Sequence, residues 1–243
     1  MAIGNVTPDS FYPASRLSSE QALLAWAETA LAEGTDILDI GACSTRPGST
    51  PVDSATEWSR LVPALEAIKS HFPDTPLSLD TFRPEIARQA LENFGPMTIN
   101  DISGGCDEMY EVVRAHRVPY IWTIRGDFSL LARMPADIEL ILDPGFGFIG
   151  STEADYACMR RMDELRAYNL PILVGVSRKS MIWRLLDITP ETSLSATQVL
   201  HFYALEHGAT ILRVHDVREA AQTVSLWEKL QTDHLNRKSV NRQ

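Results

Sequence analysis

Short apolar runs alternate with amphipathic stretches along almost the whole chain. The runs lie near Ala2–Asn5, Asp36–Ile40, Leu77–Asp80, Met97–Asp101, Tyr120–Ile124, Leu140–Asp143, Ile172–Val176 and Thr210–Val214. They are too continuously apolar for strands with one face in water, so they read as strands buried on both sides. Between them, residues 19–33, 54–70, 84–94, 107–116, 153–168, 193–207 and 217–231 carry helical spacing. Start signals support several of these, such as Ser18 with Gln21 three residues on, and Pro84 in a first turn. Strand followed by helix, repeated around eight strands, predicts an α/β fold: a single (β/α)8 TIM barrel with right-handed parallel crossovers.

One unit breaks the rhythm. The 13 residues from Arg125 to Asp137 contain Gly126 and Pro135 and leave room for about two helical turns. The fifth helix is therefore expected to be shortened or missing, exposing on the order of several hundred Å² of apolar barrel wall. The barrel is assigned to residues 1–232, and residues 233–243 read as a polar C-terminal tail.

Composition narrows the function. With 243 residues, 44% of them hydrophobic, the chain can bury a core of barrel size. A formal charge of -10 opposes a general nucleic-acid or anionic-membrane surface, so any anionic ligand needs a local cationic pocket. The absence of a membrane-length apolar run and of a basic, apolar leader predicts a soluble, cytoplasmic protein. Three cysteines, Cys43, Cys106 and Cys158, lack metal-ligand spacing and suit a reducing compartment.

The chemically informative residues stand where strands end, the face that carries chemistry in a barrel of this kind. Asn5, Asp80, Asn100, Asp101, Asp143, Lys179, Arg213 and His215 all fall there. Any one of them is more simply a cap or turn former. Eight together predict convergence on a polar ligand, because apolar strands that deliver unpaired amides and charges to one rim incur a desolvation cost. Asp80, Asn100, Asp143 and Lys179 supply the acceptors, donors and cation suited to a flat aminopyrimidinone-like heterocycle. Arg213 and His215, one residue apart in extended chain, point to one side and suit a phosphate, with the last helix beginning just beyond. On this reading Arg213→Ala lowers affinity for a phosphate ester and leaves the free heterocycle nearly unaffected. Gly145, Gly147 and Gly150 have the wrong spacing for a dinucleotide fingerprint, and no ribose-binding acid follows.

The sequence resembles the dihydropteroate synthases, members of the pterin-binding enzymes. The resemblance is carried by Asn5-Val-Thr-Pro-Asp-Ser-Phe11, Asp39-Ile-Gly41, Ser44-Thr-Arg-Pro-Gly48, Leu79-Asp-Thr81, Ile99-Asn-Asp-Ile-Ser-Gly-Gly105, Asp143-Pro-Gly-Phe-Gly-Phe148, Val174-Gly-Val-Ser-Arg-Lys-Ser180 and Arg213-Val-His-Asp-Val217. It implies pterin contacts from Asp80, Asn100, Asp143 and Lys179, with Asp101 also in the substrate site. It implies pyrophosphate and Mg²⁺ contacts from Asn5, Thr45, Arg46, Arg213 and His215, Asn5 holding the metal. The implied p-aminobenzoate site is Phe11, Thr45, Pro47, Phe148, Lys179 and Ser177, where a sulfonamide competes. It further implies small-molecule substrates and a homodimer.

Departures from the family pattern are Trp122-Thr-Ile-Arg125 where Met-His-Met-like residues are common, Gly150 for a lysine, Pro13 for an acid and Cys43 for a frequent glutamate. These departures and the stunted fifth unit motivate two alternatives: a non-catalytic pterin-binding paralogue or partner subunit, and a pterin-dependent methyltransferase domain.

Overall fold

The computed structural model describes residues 1–6, 19–43, 52–135 and 137–240, with side chains as far as Gln231. Phe11, Pro13, Thr45, Arg46 and Pro47 lie outside the described residues. Eight parallel strands appear in chain order: β1 Ala2–Asn5, β2 Leu38–Gly41, β3 Leu77–Asp80, β4 Thr98–Asp101, β5 Tyr120–Thr123, β6 Leu140–Asp143, β7 Leu173–Val174 and β8 Ile211–Leu212. The first six form one continuous sheet and β7 pairs with β8. Single bridges, Leu142 with Ile172 and Ala2 with Val214, join the two sheets at both edges. The ring is thereby closed, as the alternating pattern predicted, and among the described residues no strand edge is left open to water.

Around it run α1 Glu20–Ala32, α2 Ser54–His71, α3 Pro84–Phe94, α4 Asp107–His116, α5 Thr152–Met159, α6 Ser180–Leu186, α7 Leu194–Glu206 and α8 Val217–Val240. Caps fix several starts. Ser19 Oγ accepts from Ala22 N–H at 3.2 Å, one residue beyond the Ser18 signal, and Pro84 opens α3. Three boundaries differ from the pattern. The predicted helix 153–168 splits into α5 and a 3-10 turn at Met162–Tyr168. That change of winding lets Cys158, Met159, Met162 and Leu165 all stay buried. α6, only seven residues long, is too short to show a period in the sequence. α8 continues past 231, since nothing between there and Val240 is Gly or Pro.

The fifth helix is indeed replaced, by a 3-10 turn over Phe128–Arg133. The exposed apolar wall expected there is absent. Leu131 is buried, and Phe128, Leu130, Met134 and Ile138 pack on the core from this segment. The Arg161 guanidinium, held by Glu164 at 2.8 Å, covers the Phe128 ring at 4.3 Å. Among the described residues the large exposed apolar side chains are instead Tyr168, Leu185, Leu186, Val199, Leu226 and Leu230.

Most of the core lies between sheet and helices, and a smaller cluster of Met1, Ile121, Ile141 and Leu173 fills the inside of the barrel. That inner plug makes the opposite, C-terminal mouth the place where polar inward residues can gather. None of the three cysteines forms a disulfide among the described residues; Cys43 and Cys158 are buried and Cys106 is exposed. No described helix is long and apolar enough to cross a membrane.

Candidate active site at the barrel mouth

Side-chain alternation decides which strand-end residues meet. In β2 to β4 the register pairs Gly41 with Asp80 and Asp80 with Asn100. Asp39, two residues before Gly41, shares its face and is fully buried. Asn100 Nδ2 donates to Asp39 at 3.2 Å, and Arg213 Nε donates to the same carboxylate at 2.6 Å. Arg213 Nη2 reaches Asp80 Oδ2 at 2.6 Å. Four strands thus deliver two acids, an amide and a guanidinium to one point.

A second group adjoins it. Asp143, at the end of β6, accepts from Gly145 N–H at 2.8 Å and from Thr123 Oγ1 at 3.3 Å. The Lys179 ammonium donates to Phe146 O and stands 4.8 Å from the centre of the Phe148 ring. Gly175 marks where the two groups meet, because a Cβ there would lie 3.8 Å from both Lys179 Nζ and Arg213 Cβ. Asp80, Asn100, Asp143, Lys179 and Arg213 therefore share one mouth. Charge does not sort them into separate pockets: Arg213, grouped with the phosphate on sequence grounds, is bound between Asp39 and Asp80.

Burial sets the electrostatics of this mouth. It raises Asp80 above the usual carboxylate range against the pull of Arg213, with Asp39 and Glu57 adding to the rise. It likewise raises Asp143, with Lys179 and the Gly145 N–H opposing. Burial pushes Lys179 down to about 8, although Asp143 favours its charged form.

Asp101 is not brought into the group. It follows Asn100 directly in β4, so its carboxylate faces the other side of the sheet, accepting from Tyr120 OH at 2.8 Å and Ser103 N–H at 2.7 Å. These contacts support β5 and the loop after β4. Ser177 lies beside the mouth, but its Oγ accepts from His215 N–H at 3.1 Å, tying the ends of β7 and β8 together. Asn5 closes β1 opposite Gly41.

Four residues not singled out from the strand ends also shape the site. Asp39 is a charge inside an apolar strand, and that was its signal. Asp155, buried on α5, accepts from Gly147 N–H at 2.7 Å. Arg178 and Asp216 form a bidentate pair behind Lys179 and His215, with both contacts at 2.8 Å. Each partner lies tens of residues from the other, so no local pattern marks them.

No cluster of three or more metal-ligating side chains exists among the described residues. Asn5 offers one oxygen at the rim. A divalent cation is compatible with that only if phosphate oxygens of a substrate and water complete its shell, the usual habit of Mg²⁺.

The sequence profile of the pterin-binding enzymes matches residues 1–127 and 133–215. The chain belongs to this family. The gap in the match falls within the 3-10 turn that replaces the fifth helix. The dihydropteroate synthase of Synechocystis is 35% identical over 95% of this chain and 89% of its own length. That of Escherichia coli is 34% identical over 94% and 90%. Among solved structures, the Xanthomonas albilineans dihydropteroate synthase with 4-aminobenzoic acid superposes with a TM-score of 0.83 at 32% identity, covering 95% of this chain and 92% of that one. The Yersinia pestis dihydropteroate synthase with a sulfonamide drug gives 0.83 at 31% identity, covering 96% and 94%.

Proposed function

We propose that this family member is a dihydropteroate synthase, a transferase of folate biosynthesis that joins 6-hydroxymethyl-7,8-dihydropterin pyrophosphate to p-aminobenzoate. The C–O bond to pyrophosphate breaks, the aniline nitrogen bonds to the exocyclic methylene, and that nitrogen loses a proton. The products are 7,8-dihydropteroate and pyrophosphate. The observation that carries this reading is the convergence of Asp80, Asn100, Asp143, Lys179 and Arg213 at one barrel mouth in a chain of this family.

Asp80, Asn100 and Asp143 present acceptors and a donor to the pterin edge, and a cationic ring in flight is stabilised by the surrounding carboxylates. Arg213 and His215 receive the departing pyrophosphate. Lys179, which also serves the pterin, joins Phe148, Ser177, Phe11, Thr45 and Pro47 on the p-aminobenzoate side, where a sulfonamide competes, and Arg46 belongs with the pyrophosphate. No protein nucleophile is required; Ser177 Oγ accepts from His215 N–H and keeps its own proton for a ligand contact. Asn5, together with substrate oxygens, would hold Mg²⁺, which would supply charge neutralisation to the leaving group.

A cytoplasmic homodimer belongs to the same proposal. Exposed Leu185 and Leu186 on α6, Val199 on α7, and Leu226 and Leu230 on α8 supply apolar surface for a second copy. The filled fifth unit removes one motive for the non-catalytic alternative. Incubation with both substrates and Mg²⁺ is expected to release pyrophosphate and form dihydropteroate. Pterin binding without pyrophosphate release would establish the binding paralogue instead. Light scattering of wild type beside Leu226→Glu reads the dimer, which the charge is expected to dissociate.

A further inference from the structure

Arg178 sits behind the site in a conformation its side chain disfavours. Among the described residues, Arg117, Arg125, Asp137, Asn169 and Asp187 also have positive φ, and all are exposed. Arg178, at φ 52°, is the buried one, with 8% of its surface accessible. Strain of this kind persists only where the surroundings over-determine it. Here they do. Its Nε and Nη2 meet both oxygens of Asp216 at 2.8 Å, and Nη1 donates to the carbonyls of Pro190 and Glu191 at 2.8 and 2.7 Å. Its backbone N–H donates to Thr197 Oγ1 on α7 at 3.2 Å.

What these bonds hold is the pair of chain neighbours assigned to substrate in the proposed function. Lys179 follows Arg178, and His215 precedes Asp216. Ser177 Oγ receives His215 N–H, so the β7–α6 and β8–α8 loops are joined twice. A buried bidentate pair is a poor device for stability alone, since an apolar pair of similar volume often serves as well. Its planar fork is suited to fixing direction.

We propose that the Arg178–Asp216 pair is a positioning element that fixes Lys179 and His215 relative to each other, coupling the heterocycle side of the mouth to the pyrophosphate side. The inference rests on the function proposed above and adds to it a mechanical link between two subsites. It predicts that loosening one loop loosens the other.

The test uses the full chain with Asp216→Asn, which keeps shape and removes charge, and Arg178→Lys, which keeps charge and removes the fork. Hydrogen exchange is followed at residues 177–180 and 213–217, and calorimetry measures 6-hydroxymethylpterin and inorganic pyrophosphate separately. In either variant both loops are expected to lose protection together, and each ligand to weaken by about tenfold or more. Asp216→Glu, which retains the charge, is expected to recover part of both losses. Loss of protection confined to the substituted loop would overturn the proposal, as would wild-type affinity for both ligands in a loosened variant. Should one variant fail to fold, the other carries the same expectations. A wild type that binds neither ligand defeats the functional reading; the coupling is then decided by exchange alone.

Discussion

Arg213 Nη2 lies 2.5 Å from Asp39 Oδ2 and 2.6 Å from Asp80 Oδ2, so one guanidinium bridges two carboxylates from neighbouring strands. The charge pattern alone assigns this arginine to a phosphate and treats the free heterocycle as indifferent to it. The contacts change that expectation. Arg213→Ala leaves Asp39, which is fully buried, and Asp80 without their shared cation. The arginine side chain is 19% exposed, so water screens part of the loss, and the cost to folding is expected at about 2–4 kcal/mol. Pterin affinity is expected to change as well, because Asp80 then protonates more readily without the opposing pull of Arg213. Denaturant midpoints and a titration with free pterin check this; an unchanged midpoint together with unchanged pterin affinity would contradict it.

Lys179 sets an alkaline limit. Its pKa in the fold, about 8, lies below the ordinary value of 10.5, so the ammonium that faces Asp143 and Phe148 is lost as pH climbs through about 8. For stability the sign is opposite in sense. Between 8 and 10.5 the unfolded chain holds the proton and the folded chain does not, so stability rises with pH across that window and is level below it. Ligand binding is expected to fall off above pH 8 in wild type. In Lys179→Arg that limb is expected to move above pH 10, since a guanidinium stays charged. An identical limb in both proteins would remove Lys179 as its origin.

Gly147 shields the same lysine. Its φ is +82°, and a Cβ there would stand 2.8 Å from Lys179 Cδ. Gly147→Ala incurs about 1–2 kcal/mol of left-handed backbone strain and displaces the lysine chain. The expected result is a modest fall in melting temperature with a larger rise in KM for p-aminobenzoate. A rise in KM no larger than that of a surface variant with equal loss of stability would show that Lys179 does not depend on Gly147.

His201 makes the outer layer sensitive to acid. It is fully buried between α7 and α8, its Nδ1 is 3.1 Å from Gln198 Oε1, and its Nε2 is buried without a hydrogen-bond partner among the described residues. Burial lowers its pKa from 6.5 to about 4. Above 6.5 both states are neutral. As pH falls from 6.5 to 4 the unfolded chain takes the proton first, and stability is lost by on the order of 3 kcal/mol, with no further change below 4. His201→Gln is expected to flatten this window in denaturant melts at pH 7 and pH 4.5. An equally steep loss in the variant would place the acid sensitivity elsewhere.

Some of this protein is legible in local sequence because the forces involved are local. The period of two or 3.6 residues follows from strand and helix geometry, so eight buried strands, most helices and the stunted fifth unit could be read directly. Asp80, Asn100, Asp143, Lys179 and Arg213 were recognisable because polar groups at the ends of apolar strands need a reason to be there. Periodicity also places neighbours on opposite faces, which is why Asn100 enters the mouth and Asp101 turns toward Tyr120. What packing alone decided are the pairings between distant positions: Arg213 with Asp39 and Asp80, and Arg178 with Asp216. Such pairs span up to 174 residues, and no spacing rule connects them. Only closing the barrel brings β8 beside β1, carrying Arg213 into reach of acids on β2 and β3, and desolvation there then determines which charges must share a partner.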